Sequence, residues 1–341
     1  RLLQPRLLEV TGDDGHVDTL EADVVLIATG ARPRVVPGAE PDGERILDWR
    51  QLYDLPALPE HLVVIGSGVT GAEFANAYLT IGVEVTLVSS RERVLPGEDA
   101  DAAELLQTVF ERRGMDVRRG RAARVERVEG GVVVHLTDGT TVEGSHALMT
   151  VGSVPNTEGM GLAEAGIVLT EQGFVQVDRV SRTNQPGVYA AGDCTGVLML
   201  ASVAAMQGRI AMWHALGEAV APLRLGTVSA NVFTDPQVAS VGITQLQVES
   251  GSVPVHSVTL PLATNARAKM SGITDGFVKF FCHPGSGTVL GGVVVAPNAS
   301  ELIMPISLAV QNGLTADQIA HTFSIYPSLS GSVTEAARQL M

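Results

Sequence analysis

The sequence predicts an α/β fold built around a parallel sheet, and three observations support this class. Apolar runs of strand length alternate with helical periodicity between about residues 61 and 114, and such alternation requires right-handed crossovers between parallel strands. One apolar run, Leu62–Ile65, leads into a glycine turn that opens a helix. A second, Gly187–Ala191, ends in a glycine and an acid before a helix of small residues. Together, the two turns predict two nucleotide-binding segments.

The remaining elements follow from periodicity and from glycine and proline breaks. We expect a β ribbon and a buried strand, Asp23–Ala28, within about residues 1–35. A meander is expected between about Ala122 and Glu143, with turns at Gly130-Gly131 and Asp138-Gly139. The other predicted elements are strands 61–66, 83–89, 146–151, 276–282 and 289–295 and helices 69–81, 100–114, 202–216, 300–311 and one after Leu329.

Composition narrows the classes of function. The 341 residues are 45% apolar, which is enough for two or three domains with their own cores. A formal net charge of −14 makes nucleic acid a poor candidate partner, because a polyanion would be repelled. We expect no membrane span and no metal site. Cys194 and Cys282 lack a redox spacing, so we expect reduced thiols in a cytoplasmic protein.

The first turn, Gly66-Ser67-Gly68-Val69-Thr70-Gly71, carries three glycines at the spacing of a dinucleotide fingerprint. The first glycine permits the tight turn, the second lets the backbone approach a pyrophosphate, and the third lets the helix pack closely on the strand. The helix N-terminus then offers free N–H groups and a partial positive charge to the phosphates. We therefore predict a nicotinamide dinucleotide site at Gly66, Gly68, Val69 and Gly71.

The end of the next strand distinguishes the two nicotinamide cofactors, because NADH sites usually place an acid there for the ribose hydroxyl. This chain has Ser90 and Arg91 after Ser89, and no acid at that place. Arg91 can hold the 2′-phosphate of NADPH through charge-assisted hydrogen bonds. The alternative is an exposed loop charge balanced by Glu92. We expect NADPH to be used at least as well as NADH.

Two acids near the turns are further candidates. Glu73 lies on what we predict to be the first turn of the helix after the glycines, facing the crevice beyond the strand ends. It is either part of the nicotinamide site or a charge that stabilises the helix N-terminus. Asp193 follows a strand end and a glycine, where it can accept a hydrogen bond from a sugar hydroxyl. The alternative for Asp193 is a turn or capping acid.

Five ordered motifs give the chain a family resemblance: Ala28-Thr29-Gly30, Gly66 to Glu73, Gly152 to Thr157, Ala191-Gly192-Asp193 and Phe233 to Gly242. Over essentially its whole length the chain resembles the pyridine nucleotide-disulfide oxidoreductases, such as dihydrolipoamide dehydrogenase and glutathione reductase. The resemblance implies a two-dinucleotide-binding-domain flavoprotein, with an NAD(P)H-binding Rossmann-like domain inserted into an FAD domain. It also implies an α+β C-terminal interface domain that forms a homodimer.

The resemblance also implies domain boundaries. A partial FAD domain would occupy residues 1–35, without its N-terminal part, and its second segment residues 157–228. The NAD(P)H domain would occupy residues 36–156, and the interface domain residues 229–341.

By the same resemblance, Asp193 would hydrogen-bond a ribityl hydroxyl of FAD, and Thr29 and Gly30 would lie near its phosphate region. Gly192 and Ala201 complete the predicted FAD set, because the helix that follows directs its positive end at the flavin. Gly152 is assigned to the NAD(P)H set.

The chain also departs from the family. Disulfide reductases of the family carry a His-Pro motif and a downstream Glu, and the His and Glu act together as a catalytic base. This chain has Tyr326-Pro327 in place of His-Pro and Gly331 in place of the Glu. A tyrosine titrates near a pH of about 10 and does not replace a histidine base at neutral pH. Val69 stands where relatives often have an aromatic lid. The first FAD glycine turn and the redox cysteine pair of the family would precede Arg1. Either an N-terminal segment is missing or the chain is a genuine remnant, and the β ribbon and strand expected within residues 1–30 favour a missing segment.

These observations predict an FAD-dependent NAD(P)H dehydrogenase that passes electrons to a quinone or similar diffusible acceptor. Tyr326 would form a wall of the acceptor pocket, or else be a packed interface aromatic. One alternative is a dihydrolipoamide or disulfide reductase with an upstream cysteine pair. An alternative of another class is a non-catalytic nucleotide-sensing scaffold.

Overall fold

A computed structural model describes the whole chain, Arg1–Met341. The strands are β1 Leu2–Gln4, β2 Leu7–Thr11, β3 Val17–Glu21, β4 Val25–Ile27, β5 Ala31–Pro33, β6 Ile46–Leu47, β7 His61–Ile65, β8 Glu84–Ser89, β9 Asp116–Arg119, β10 Ala122–Val128, β11 Gly131–Leu136, β12 Thr141–Gly144, β13 His146–Met149, β14 Ser153–Pro155, β15 Val188–Ala190, β16 Ser229–Val232, β17 Gln237–Gly242, β18 His256–Pro261, β19 Phe277–Cys282 and β20 Val289–Ala296. The α-helices are α1 Trp49–Tyr53, α2 Val69–Thr80, α3 Ala100–Arg112, α4 Ala201–Ala215, α5 Gln245–Glu249, α6 Ala266–Met270, α7 Ala299–Leu302, α8 Met304–Asn312, α9 Ala316–Ala320 and α10 Gly331–Arg338.

The chain forms two compact units, each made of two separate stretches of sequence. The first unit combines Arg1–Arg34 with Gly152–Leu225, and the second combines Val35–Val151 with Gly226–Met341. The predicted FAD segments therefore fall together in the first unit. The predicted NAD(P)H and interface domains fall together in the second, except that residues 152–156 of the predicted NAD(P)H domain belong to the first unit.

The first unit contains three small sheets. Strands β1, β2 and β3 form the predicted antiparallel ribbon, β4 pairs in parallel with β15, and β5 pairs antiparallel with β14. Strand β4 is shorter than the predicted Asp23–Ala28, because its partner β15 offers only three residues for pairing. The β4–β15 pairing places Thr29 and Gly192 just beyond the carboxyl ends of two parallel neighbours.

The N-terminal part of the second unit is a five-stranded parallel sheet in the order β6-β13-β7-β8-β9. Ile65 pairs with Val88 on one side and Met149 on the other, so the carboxyl ends of three strands lie side by side. The glycine turn, Ser89 and Thr150 therefore share one edge of the sheet. The predicted meander is a separate antiparallel sheet, β10-β11-β12.

The C-terminal part is an antiparallel sheet in the order β16-β17-β20-β19-β18. Phe277 and Phe281 on β19 belong to the same hydrophobic cluster as Leu106 and Phe110 on α3. The alternate residues, such as Phe280, join a second cluster with α8, α9 and α10. Both faces of β19 are thus covered, and all six of its residues are buried.

The helix predicted over residues 300–311 is wrong in one respect, because two helices replace it. Helix α7 ends at Leu302, and α8 runs from Met304 to Asn312 with Pro305 in its first turn. Proline lacks an N–H and its ring clashes with the preceding turn, so it begins a helix rather than continuing one. None of the helices combines the length and hydropathy that a membrane span requires.

Candidate functional site

The three glycines of the first turn have three different environments, which match their predicted roles. Gly66 has φ +114°, and a Cβ there would lie 2.4 Å from the Thr150 carbonyl oxygen. Gly68 faces open space, so its backbone is free to approach a ligand. A Cβ at Gly71 would lie 1.8 Å from the Gly66 carbonyl oxygen, because α2 starts directly against the turn. The geometry is that of a dinucleotide fingerprint.

The start of helix α2 is open to an anion. No side chain caps it: Gly68 is the N-cap residue, and Val69, the first helical residue, is 42% exposed. Thr150 braces the turn from behind, since its hydroxyl donates to the carbonyls of Ile65 at 2.9 Å and Gly66 at 3.0 Å. A rigid turn in front of unpaired helix N–H groups is suited to a pyrophosphate.

The loop after β8 is tied to the same turn through buried serines. The Ser67 and Ser89 hydroxyl oxygens are 2.7 Å apart, and the Ser89 hydroxyl donates to the Arg91 carbonyl at 3.0 Å. Ser90 and Arg91 are exposed, and the Arg91 guanidinium makes no ion pair within the protein. Neighbouring Arg119 donates to the Glu92 carbonyl at 3.0 Å. The strand end therefore presents a free cation and a free hydroxyl, and the first acid after it is Glu92.

Glu73 lies in the second turn of α2, not the first as predicted, because the helix begins at Val69. Its Oε1 accepts a hydrogen bond from the Phe233 backbone N–H at 2.8 Å. Burial raises the pKa of Glu73, and the Phe233 N–H lowers it in part. Besides its candidate role at the nicotinamide site, Glu73 links α2 to the segment that follows β16.

The structure places Gly152, which the resemblance assigns to the NAD(P)H set, in the first compact unit. Its φ is +98°, and its carbonyl accepts a hydrogen bond from the Arg34 N–H at 2.9 Å. The residue lies where the chain passes from the second unit back into the first. Its predicted contact with NAD(P)H stays a prediction.

The second signature forms a compact turn in the first unit. Ala191 donates from its N–H to the Ile27 carbonyl at 2.9 Å, extending the β4–β15 pairing to the residue before the turn. Gly192 has φ +82°, and its N–H donates to the Gln207 side chain on α4 at 2.9 Å. Asp193 then starts a short 3₁₀ turn and is half-buried. Its carboxylate has no partner in the protein and is available to a ligand hydroxyl.

Two further features of this unit fit FAD. The Thr29 hydroxyl oxygen is buried without a hydrogen-bond partner, and a buried hydroxyl without a partner is costly. Helix α4 begins at Ala201, and no side chain caps its N-terminus. The Thr29 and Gly30 carbonyls are meanwhile held by Asn156, at 2.9 and 3.0 Å. Thr29, Gly30, Gly192, Asp193 and Ala201 thus lie in one unit, with an unpaired hydroxyl and an open helix end.

Tyr326 is 84% exposed and makes no hydrogen bond. It ends an exposed apolar segment that also contains Phe323 and Ile325. Gly331 begins α10, where its N–H donates to the Ser328 hydroxyl at 3.1 Å. Neither position carries an imidazole or a carboxylate.

Several residues outside the predicted sites support the two turns. Thr150 and Gln207 brace them, and Leu95 closes the loop after β8 by donating from its N–H to the Ser67 carbonyl at 2.8 Å. The signal for Thr150 was available, since it directly follows a strand of the parallel sheet. Leu95 and Gln207 carry no such signal. No group of three or more His, Cys, Asp or Glu side chains is arranged to hold a metal ion.

Comparisons with known proteins agree with this geometry. Residues 4–208 match the family described as pyridine nucleotide-disulphide oxidoreductase, and residues 228–337 match its dimerisation domain. The chain is 62% identical over 335 residues to a Mycobacterium tuberculosis protein named NAD(P)H dehydrogenase (quinone), covering 98% of this chain and 68% of that protein. It is 36% identical to the dihydrolipoyl dehydrogenase of Chlorobaculum parvum, covering 97% of this chain and 71% of the relative.

Solved structures show the same similarity. The crystal structure of LpdA from Mycobacterium tuberculosis superposes with a TM-score of 0.93 at 62% identity, covering 98% of this chain and 73% of that one. The HOCl-induced flavoprotein disulfide reductase RclA from Escherichia coli superposes with a TM-score of 0.90 at 27% identity, covering 99% and 77%. The ordered motifs, the two turns and these matches agree, and the chain belongs to the pyridine nucleotide-disulphide oxidoreductase family, whose cofactors are FAD and NAD(P)H.

Proposed function

We propose that this protein is an FAD-dependent NAD(P)H dehydrogenase that delivers electrons to a quinone or a similar diffusible acceptor. The observation that carries the proposal is the pair of dinucleotide turns combined with Tyr326 and Gly331, which stand where disulfide reductases of the family have a histidine and a glutamate. The 62% identical relative named NAD(P)H dehydrogenase (quinone) supports the same activity. The match to the dimerisation domain supports a homodimer. A cytoplasmic location stays a prediction from the two buried, unpaired cysteines.

The predicted site residues bind and orient the two cofactors. When bound, FAD supplies both the hydride acceptor for NAD(P)H and the electron donor for the quinone. Gly66, Gly68 and Gly71 hold the dinucleotide phosphates at the N-terminus of α2, which orients the nicotinamide. Asp193 and Thr29 hold the flavin nucleotide by hydrogen bonds. Ala201 opens the helix whose positive end would face the bound flavin. Hydride transfer itself requires no protein acid or base.

The activity is tested with the FAD-loaded protein, NADPH and a panel of acceptors. We expect rapid NADPH oxidation with menadione and little with lipoamide or glutathione disulfide. Rapid turnover of lipoamide with no turnover of menadione would support the disulfide reductase alternative. Nucleotide binding without turnover of any acceptor would support a scaffold.

Arg91 is expected to determine the use of NADPH. Its guanidinium is exposed and unpaired beside Ser90 at the end of β8. A charge-assisted hydrogen bond to phosphate contributes about 1.5–3 kcal/mol. Arg91→Ala should therefore lower kcat/KM for NADPH by about tenfold or more, with little change for NADH.

Steady-state kinetics with both nucleotides measures this effect. Arg338→Ala is the control. It also removes an arginine from the surface, but on α10, where Arg338 pairs with Glu335. Equal losses with NADPH and NADH in Arg91→Ala would contradict a role for Arg91 at the 2′-phosphate.

Tyr326 is expected to act on the acceptor and not on flavin reduction. Tyr326→Phe keeps the ring and removes the hydroxyl. Stopped-flow reduction of the flavin by NADPH should proceed at the wild-type rate. Any effect of the missing hydroxyl should be confined to the KM for menadione. Loss of the flavin-reduction step in this variant would refute the assignment.

A further inference from the structure

Lys279 is a cation buried in the middle of the C-terminal sheet. Its side chain is 5% exposed, and its Nζ lies 5.7 and 5.8 Å from the ring centres of Phe277 and Phe281. A buried cation is unfavourable unless it is paired and hydrogen-bonded. The partners come from a distant part of the same compact unit, at the start of helix α3.

Two aspartates surround the Lys279 ammonium group. Its Nζ donates to both carboxylate oxygens of Asp99, at 2.9 and 2.8 Å, and lies 2.6 Å from Asp101. The Asp99 side chain is 2% exposed, whereas that of Asp101 is 61% exposed. Asp99 also caps α3, since Oδ1 accepts from the Ala102 N–H at 3.2 Å. One carboxylate therefore joins the sheet to the helix start and to the loop before it.

That loop, residues 90–99, leads from this pair back to the glycine turn. The Glu98 N–H donates to the Leu95 carbonyl at 3.0 Å, and the Leu95 N–H donates to the Ser67 carbonyl at 2.8 Å. Ser67 lies between the first two glycines of the turn. Burial raises the pKa of the Glu98 carboxyl, and Ser240 on β17 lowers it in part.

Leu95 shows that the loop conformation is held by its surroundings. It is 1% exposed and has φ +51°, a left-handed conformation that is uncommon for a bulky side chain. Such a residue persists only where neighbouring contacts determine its conformation, and these cases cluster at ligand sites. The same loop carries Ser90 and Arg91.

We propose that Lys279 is a positioning residue for NAD(P)H. Through Asp99 it holds the 90–99 loop, and through Leu95 the loop holds the Ser67 carbonyl of the glycine turn in its binding conformation. This inference rests on the proposed nucleotide site. The anchored loop is ordered before the nucleotide arrives, so binding does not have to order it. Without the anchor, NADPH would bind more weakly while the acceptor and flavin steps stayed unchanged.

Comparing two ion pairs at the two ends of α3 separates a positioning role of Lys279 from a merely structural one. Arg112, at the other end of α3, pairs with Asp275 in the C-terminal part. This pair is more exposed and has no connection to the 90–99 loop. Arg112→Met therefore removes an ion pair between the same two parts of the unit without touching the path to Ser67.

The test uses the FAD-loaded protein with Lys279→Met, the double variant Lys279→Met/Asp99→Asn, and Arg112→Met. Lys279→Met alone leaves the buried Asp99 carboxylate without its cation. The double variant also removes that charge and keeps an asparagine as helix cap, so it should stay folded. Titration with NADPH gives Kd, menadione kinetics give the acceptor KM, and thermal unfolding reports stability. We expect the NADPH Kd to rise about tenfold in the double variant, with the menadione KM and FAD content unchanged. Arg112→Met should keep the wild-type Kd.

Wild-type affinity in a folded double variant would overturn the inference, as would an equal loss of affinity in Arg112→Met. Either result leaves the proposed function intact, provided that the wild-type protein binds NADPH. Wild-type protein that does not bind NADPH would refute the nucleotide site and, with it, the role of Lys279.

Discussion

Gly71→Ala is expected to raise the Kd for NADPH by about 100-fold, because misplacing a binding element by about an ångström is sufficient for losses of that size. The added methyl group would lie 1.8 Å from the Gly66 carbonyl oxygen. Both groups belong to the backbone, so the turn and the start of α2 must move apart. Overpacking of this kind also costs about 1–3 kcal/mol of stability. Isothermal titration with NADPH and thermal unfolding measure the two effects.

Two other glycines provide the comparison. Gly68→Ala adds its methyl group in open space, so stability should be unchanged while NADPH binding weakens, because the pyrophosphate approaches there. Gly208→Ala, within α4, also meets nothing within 4 Å and should bind NADPH like the wild type. A Gly71→Ala protein with wild-type affinity would show that the turn does not bind the nucleotide.

Asp193→Ala is expected to yield protein that loses most of its FAD on purification. The carboxylate is half-buried and has no partner in the protein, so a ligand hydroxyl is its natural donor. A hydrogen bond to a charged group contributes about 1.5–3 kcal/mol, which corresponds to a rise in the FAD Kd of about 10- to 100-fold. The flavin absorbance per protein measures occupancy directly.

Glu171→Ala is the matched control for Asp193→Ala. It removes one negative charge from an exposed side chain of the same compact unit that makes no hydrogen bond or ion pair. It should keep full FAD content. An Asp193→Ala protein that retains stoichiometric FAD after dialysis would exclude the ribityl role and leave Asp193 as a turn residue.

The turns were predictable because their residues are neighbours in sequence. A strand, a tight turn and a helix N-terminus require glycines at set spacings, and Gly66, Gly68 and Gly71 each have the environment that their position predicts. Glu73 was less predictable. Its helix starts at Val69 as predicted, but Glu73 is then the fifth helical residue and lies in the second turn. Its backbone partner, Phe233, is 160 positions away in sequence.

The contacts that hold the 90–99 loop could not be predicted from the sequence. Asp99 looks like an ordinary helix cap, and Lys279 looks like one charge within an apolar strand. Their pairing depends on how α3 packs on the C-terminal sheet, which brings together residues 180 positions apart. Leu95 carries no residue-type signal for a left-handed conformation, since glycine or asparagine would be the usual choice.

The sequence by itself determined the α/β class, the two dinucleotide turns and the family. It also determined that Tyr326 and Gly331 stand where disulfide reductases have a histidine and a glutamate. Each of these depends on residue types at short spacings, where local backbone geometry and side-chain chemistry decide the outcome. The tertiary structure alone decided that Thr29 has a buried hydroxyl without a partner and that Lys279 meets Asp99 and Asp101. Burial and long-range pairing arise from the packing of whole elements, and no local pattern of residues encodes which distant side chain will be the neighbour.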